Sequence, residues 1–381
     1  MQTCLTFLLL GATLGSVAAA PRDFFVYFGT YSKNGSRGIY RAQFDAATGR
    51  LGAAELAIEA RDASFLALHP SGKTLYAVDE SSDPRRMPAE GVSAYAITPK
   101  TGALTLLNRQ TAGGAGPCHV SVDRAGRGVF VANYGGGSIE SIPLEADGRL
   151  GAVGTFVQHA GSSVNPARQS GPHAHSIYST PDNRLVLAAD LGLDRVLVYR
   201  LDTADAKLTV NDPAFVALPP GSGPRHLVFH PNGKFVYVIN EMLCTVAVFR
   251  FDAAHGALTE VQTVSTLPSG QPVETGFSAA EIAVHPSGRF LYGSNRGHNS
   301  IAVFALDPAT GRLTHVENQS TRGATPRHFA LDPTGAWLLA ENQDSGDLAI
   351  FRIDGATGRL AAQGAPVAVP TPVCAVFVPA P

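Results

Sequence analysis

One phrase recurs along this chain, and that recurrence constrains the fold more than any single residue does. It reads LALHPSGKTLYAVDE from Leu66, VSVDRAGRGVFVANY from Val120, IYSTPDNRLVLAADL from Ile177, LVFHPNGKFVYVINE from Leu227, IAVHPSGRFLYGSNR from Ile282 and FALDPTGAWLLAENQ from Phe329. Each copy supplies an apolar strand, a Pro/Gly turn, an alternating strand and a polar break, and a third alternating strand follows. A fourth comes after a D-x-x-x-G-x-L turn, as at Asp252 to Leu258, Asp307 to Leu313 and Asp354 to Leu360. Four short strands repeated at a fixed interval are the blades of a β-propeller, in which each sheet buries its apolar faces only against its neighbours.

With Pro70, Arg124, Pro181, Pro231, Pro286 and Pro333 as equivalent turn positions, successive copies lie 54, 57, 50, 55 and 47 residues apart. Six units therefore begin with a first strand of their own. The N-terminal stretch FFVYFGTYSKNGSRGIYRAQFDAATGRLGAAEL holds second, third and fourth strands without a first, and the C-terminal VPTPVCAVFVP is one strand. Seating the last strand beside the first ones completes a seventh blade and leaves no free sheet edge. The expectation is an all-β, seven-bladed propeller of four-stranded blades, closed by pairing of the C-terminal strand with the N-terminal ones. Six- and eight-bladed rings are the rivals. One ring counts as one domain despite 381 residues, here assigned to 20–381. The segments around 160–170 and 268–277 read as long insertions over a blade face.

Residues 1–19, MQTCLTFLLLGATLGSVAA, form an apolar core ending in small residues and read as a signal peptide. They place the protein in the periplasm or outside the cell, with a cytoplasmic location as the alternative if the segment is not a working signal. Beyond it no apolar run reaches the length of a membrane span. The remaining Cys118, Cys244 and Cys374 are widely spaced and are expected as buried free thiols. The formal net charge is -2 and there is no basic block, which argues against nucleic acid as a partner. A small molecule, in particular an anion met by a few converging arginines, remains compatible. A closed ring has no edge to share, so a monomer is the default.

Aligned copies create columns, and columns place side chains around the channel. Six residues before each turn anchor, where the innermost strand begins, stand Ser64, Cys118, His175, Arg225, Ala280 and Arg327; one residue later stand Phe65, His119, Ser176, His226, Glu281 and His328. Nine residues after the anchors the column is Asp79, Asn133, Asp190, Asn240, Asn295 and Asn342, whose uniformity indicates turn capping. Ten residues after, it is Glu80, Tyr134, Leu191, Glu241, Arg296 and Gln343, with Tyr31 as the N-terminal counterpart. This last column varies in charge, which structure alone does not require.

A ring can bring His175, Arg225, Glu241, Arg296 and Arg327 to one end of the channel. Hydrolysis of an activated ester or lactone needs a base that takes a proton from water and a donor for the oxygen that becomes negative. His175 and Glu241 are candidate bases, either one able to orient the other, and Arg296 is the candidate oxyanion partner. Arg225 and Arg327 would hold a carboxylate or phosphate, and His173, His226, Asp190 and Gln343 complete the candidate substrate contacts. Two alternatives stand beside this: a salt bridge between blades, and a ligand-binding site without chemistry. His173 and His175 supply two ligands where a metal needs three or four, so no metal is expected.

The phrases GPHAHS, ADLGLDRVLVYRLD, GSGPRHLVFHPNGKFVYVINE, HPSGRFLYGSNRGHNSIAVF and TPRHFALDPTGAWLLAENQ together resemble the seven-bladed lactonases. That family includes the propeller type of 6-phosphogluconolactonase and is similar to the fungal 3-carboxy-cis,cis-muconate lactonising enzyme. The resemblance spans nearly the whole chain from Tyr27 onward. It implies a lactonase without a required cofactor, with the His of GPHAHS (His175, with His173 second), the Glu of INE (Glu241) and the Arg of SNRG (Arg296) in catalysis. The implied substrate is 6-phospho-D-glucono-1,5-lactone, with an unphosphorylated aldonolactone as its rival. A carboxymuconate cycloisomerase-like enzyme and a non-enzymatic periplasmic binding propeller are the alternatives.

Overall fold

The computed structural model describes residues 23–80 and 91–380. The export signal read at 1–19 lies outside the described residues. Seven antiparallel sheets follow one another: blade one spans 66–111, blade two 117–158, blade three 174–217, blade four 224–265, blade five 278–320 and blade six 326–368. Blade seven combines strands within 23–59 with the C-terminal strand Pro372–Pro379. In each blade the first strand of the repeat is innermost and touches the innermost strands of both neighbours, so the contacts run once round a closed ring.

The C-terminal strand pairs antiparallel with Asp23–Thr30 in a register from Phe24 opposite Pro379 to Thr30 opposite Pro372. The expected closure is therefore the one present. Between blades, strand alternation sends one set of apolar side chains into each neighbour. The result is a buried cluster at every blade junction. Phe235, Tyr237, Leu291 and Phe304 join blades four and five, for example, while Phe28, Trp337, Leu339 and Phe377 join six and seven.

Two polar devices repeat along with these clusters. A second-strand tyrosine donates from its hydroxyl to a glycine carbonyl in the outer turn of the next blade: Tyr27 to Gly102, Tyr76 to Gly148, Tyr237 to Gly311 and Tyr292 to Gly358. At Gly311 a side chain would collide with the Phe235 ring, and its φ of 76° lies in the left-handed region, so glycine is required there. The histidine of the HP-x-G turn does a similar job, with His230 Nε2 3.0 Å from the Gly288 carbonyl and His285 Nε2 2.7 Å from that of Gly335. Cys118, Cys244 and Cys374 are buried free thiols, as expected.

Candidate active site

Innermost strands in the propeller begin with an irregularity that aims one side chain into the channel. The pairing register slips between Ala174 and Ser176, between Pro224 and His226, and between Pro326 and His328. The extra residue at each slip is His175, Arg225 or Arg327, and the corresponding slip in blade two isolates Cys118. A β-bulge turns the unpaired residue away from its neighbours' alternation. The column six residues before the turn therefore faces the channel because it is bulged, not because of alternation alone.

At that end of the channel the side chains gather around Glu241, which is 5% exposed. Its Oε1 accepts from Arg168 Nη2 at 2.6 Å, and its Oε2 lies 3.0 Å from Arg296 Nη2, 3.3 Å from Arg225 Nε and 3.9 Å from His175 Nε2. Burial by itself would raise the carboxyl pKa. The guanidiniums of Arg296, Arg225 and Arg168 outweigh it and bring the pKa down to about 2, so Glu241 is a carboxylate at neutral pH. Its peptide N–H donates to the Gly223 carbonyl and its carbonyl accepts from Ala279, fixing the backbone from both sides.

His175 is also buried, and its imidazole meets His226 edge to face at 5.3 Å and Tyr134 at 5.4 Å between ring centroids. Burial, then the positive charge of Arg225, pushes its pKa well below the ordinary value. The ring is neutral at pH 7 with Nε2 toward Glu241. Arg225 lies behind Glu241 and donates from Nη1 to the Ala280 carbonyl at 2.6 Å. Arg296 donates from Nη2 to the Ala279 carbonyl at 3.0 Å, and its buried Nε has no hydrogen-bond partner.

A second carboxylate stands across the same end. Glu80 accepts from Tyr31 at 2.9 Å and from Ser64, and lies 3.9 Å from Arg327. Arg327 in turn sits over the Tyr31 ring at 5.4 Å. Four guanidiniums thus share two carboxylates, leaving positive charge in excess. A cavity of 550 Å³ opens beside Glu241 and Arg168 and is bounded by Val164, Met242 and Phe277.

The other expected substrate contacts have these surroundings. Asp190 is fully enclosed: one oxygen accepts from the backbone of His173, Gly192 and Leu193, and the other lies 2.6 Å from His159 Nδ1. Wholly buried, it shapes the turn that presents GPHAHS. His173 stacks on Tyr134 at 4.5 Å and bonds the Tyr134 carbonyl through Nδ1. His226 lies one layer deeper, its Nδ1 2.9 Å from Glu281 Oε2, and burial depresses its pKa to about 4. Gln343 stays on the rim with its amide turned to Asp344. The Asn column caps turns as expected: the side-chain amides of Asn133 and Asn240 donate to Ser138 and Thr245.

The sequence reading omitted Arg168. It belongs to no column, since it rides on the insertion at 160–170, and the signal available was an arginine in a long loop above the blade that carries GPHAHS. Among the described residues, no three His, Cys, Asp or Glu side chains converge in a way that would hold a metal ion.

Comparison with known proteins agrees with this architecture. The family model described as "Lactonase, 7-bladed beta-propeller" matches residues 25–377. A 6-phosphogluconolactonase of Bacillus subtilis (strain 168) is 38% identical over 92% of this chain and 97% of its own length. A protein of the same name from Formosa agariphila is 32% identical, with 70% of this chain and 74% of that one covered. Among solved structures, the periplasmic gluconolactonase of Pseudomonas aeruginosa superposes with a TM-score of 0.88 at 35% identity, covering 94% of this chain and 100% of that one.

Proposed function

The chain belongs to the seven-bladed β-propeller lactonases, enzymes that open lactone rings by hydrolysis, and we propose that its sugar lactone carries an anionic group, with 6-phospho-D-glucono-1,5-lactone as the substrate. The observation that carries this reading is the surplus of guanidinium charge around Glu241, together with the unpartnered Nε of Arg296. Desolvated cations with unused donors suit a substrate that arrives negative and becomes more so.

In the proposed reaction a water attacks the lactone carbonyl carbon while His175 Nε2 takes its proton. His175 is taken as the base because its imidazole is neutral at pH 7 and is not engaged by a guanidinium, whereas three arginines already hold the Glu241 carboxylate. Glu241, 3.9 Å away, stabilises the imidazolium that forms. Arg296 neutralises the oxyanion. When the tetrahedral intermediate collapses, the bond from the carbonyl carbon to the ring oxygen breaks and His175 returns the proton to that oxygen. The product carboxyl then ionises, releasing one proton to solvent.

The second reading is an unphosphorylated glucono-lactone handled outside the cytoplasm. It is favoured by the apolar N-terminal segment and by the likeness to a Pseudomonas protein described as a periplasmic gluconolactonase. Ring-opening rates above the spontaneous rate, followed at constant pH by base consumption, separate the two. A preference for the phosphorylated lactone supports the first reading. Preference for the neutral lactone transfers the assignment to the second, and acceleration of neither contradicts both.

A further inference from the structure

Arg168 differs from the other arginines of the site in origin, exposure and bonding. Its backbone is fixed: Asn165 Oδ1 accepts from the N–H groups of Ala167 and Arg168 at 3.0 and 3.2 Å, and Gln169, wholly buried, donates to the Leu191 carbonyl at 2.8 Å. The side chain nevertheless remains 42% exposed, against 3% for Arg225, 13% for Arg296 and 17% for Arg327. Both of its side-chain hydrogen bonds leave from Nη2, at 2.6 Å to Glu241 and 3.2 Å to the Tyr134 hydroxyl. Nη1 and Nε are left for something else. The guanidinium and Glu241 line the same 550 Å³ cavity, so an anion entering there meets Arg168 before any other cation of the cluster.

We propose that Arg168 is the anion receptor that sets substrate preference, exchanging its bond to Glu241 for the phosphate ester of an incoming lactone. The inference rests on the phosphorylated-substrate reading above and goes beyond it by assigning that selectivity to one loop residue. Glu241 tolerates the exchange because Arg225 and Arg296 still hold it from the blades, with His175 opposite. A neutral lactone offers Nη1 and Nε only uncharged acceptors and leaves the bond to Glu241 in place, whereas a phosphate dianion takes two parallel charge-assisted bonds and can draw the guanidinium off its carboxylate. An anchored backbone with a half-exposed side chain lets the swap occur without moving the loop.

The test compares wild type with Arg168→Gln and Arg168→Lys, using both lactones and, separately, inorganic phosphate as a probe. Arg168→Gln should lower kcat/KM for the phosphorylated lactone by about ten- to a hundred-fold more than for the neutral one, mainly through KM. Arg168→Lys should recover part of that discrimination, because the charge returns without the planar fork. Phosphate should raise the melting temperature of wild type and do so less for Arg168→Gln. An unchanged ratio between the two lactones, or equal stabilisation by phosphate in both proteins, overturns the proposal. If wild type opens neither lactone, the substrate reading fails on its own, and the phosphate melting shift still decides whether Arg168 receives an anion.

Discussion

Replacing Glu241 with Gln keeps the side-chain volume and removes one charge from the centre of the arginine cluster. The carboxyl group is held at about 2 against an ordinary value of 4.5, and the shift survives burial only because three guanidiniums surround it. A folded-state pKa below the unfolded one contributes stability that is present above the unfolded pKa and disappears as pH falls through the folded value. At roughly 1.4 kcal/mol per unit, the shift corresponds to about 3 kcal/mol at pH 7, falling to about 1 kcal/mol at pH 3. That agrees with the roughly 3–5 kcal/mol seen when one partner of a buried ion pair is removed. Urea denaturation of wild type and Glu241→Gln at both pH values is the assay. The variant should be less stable at pH 7, and the gap should narrow by more than half at pH 3. A gap equal at the two pH values, or none at pH 7, would refute the reasoning. Turnover should also fall by about 10²-fold or more if Glu241 supports the base.

Three further outcomes are expected. In the pH profile of kcat/KM, the acid limb should lie below pH 6.5, because the depressed pKa of His175 keeps its imidazole in the base form at lower pH; a limb at or above 6.5 would show that the buried ring is not the base. Deleting 372–381 removes the strand that closes the ring, so the truncated protein should be insoluble or cleaved quickly by protease, and melting unchanged from wild type would contradict the closure. Thiol reagents should label Cys118, Cys244 and Cys374 only after denaturation, as mass spectrometry with and without urea would show.

The ring was legible because the repeat is periodic in the units that geometry uses. Each copy of the phrase maps to one angular step, so the columns converted separations of more than 100 residues into neighbours, and His175, Glu241 and Arg296 met as those columns required. A column gives angle and height but not competition for partners. Asp190 shares its column with turn-capping asparagines and serves a turn as they do, one oxygen taken by the backbone at His173 and Gly192 and the other by His159. Arg225 stands in the same column as Arg327 and on the same kind of bulge, yet its guanidinium is taken up by Glu241 and the Ala280 carbonyl, while that of Arg327 goes to Glu80 and the Tyr31 ring. Arg168 was illegible for the opposite reason, since an insertion has no register from which a side chain can be placed.

The central claim is that this end of the channel opens a sugar lactone with His175 as its base. It is tested most directly by measuring ring opening of 6-phospho-D-glucono-1,5-lactone and glucono-1,5-lactone with wild type and a His175→Asn variant of matched melting temperature, each corrected for spontaneous hydrolysis. The account predicts acceleration by wild type, greater for the phosphorylated lactone, and a loss of about 10²-fold or more in the variant. Equal rates for the two proteins would contradict it.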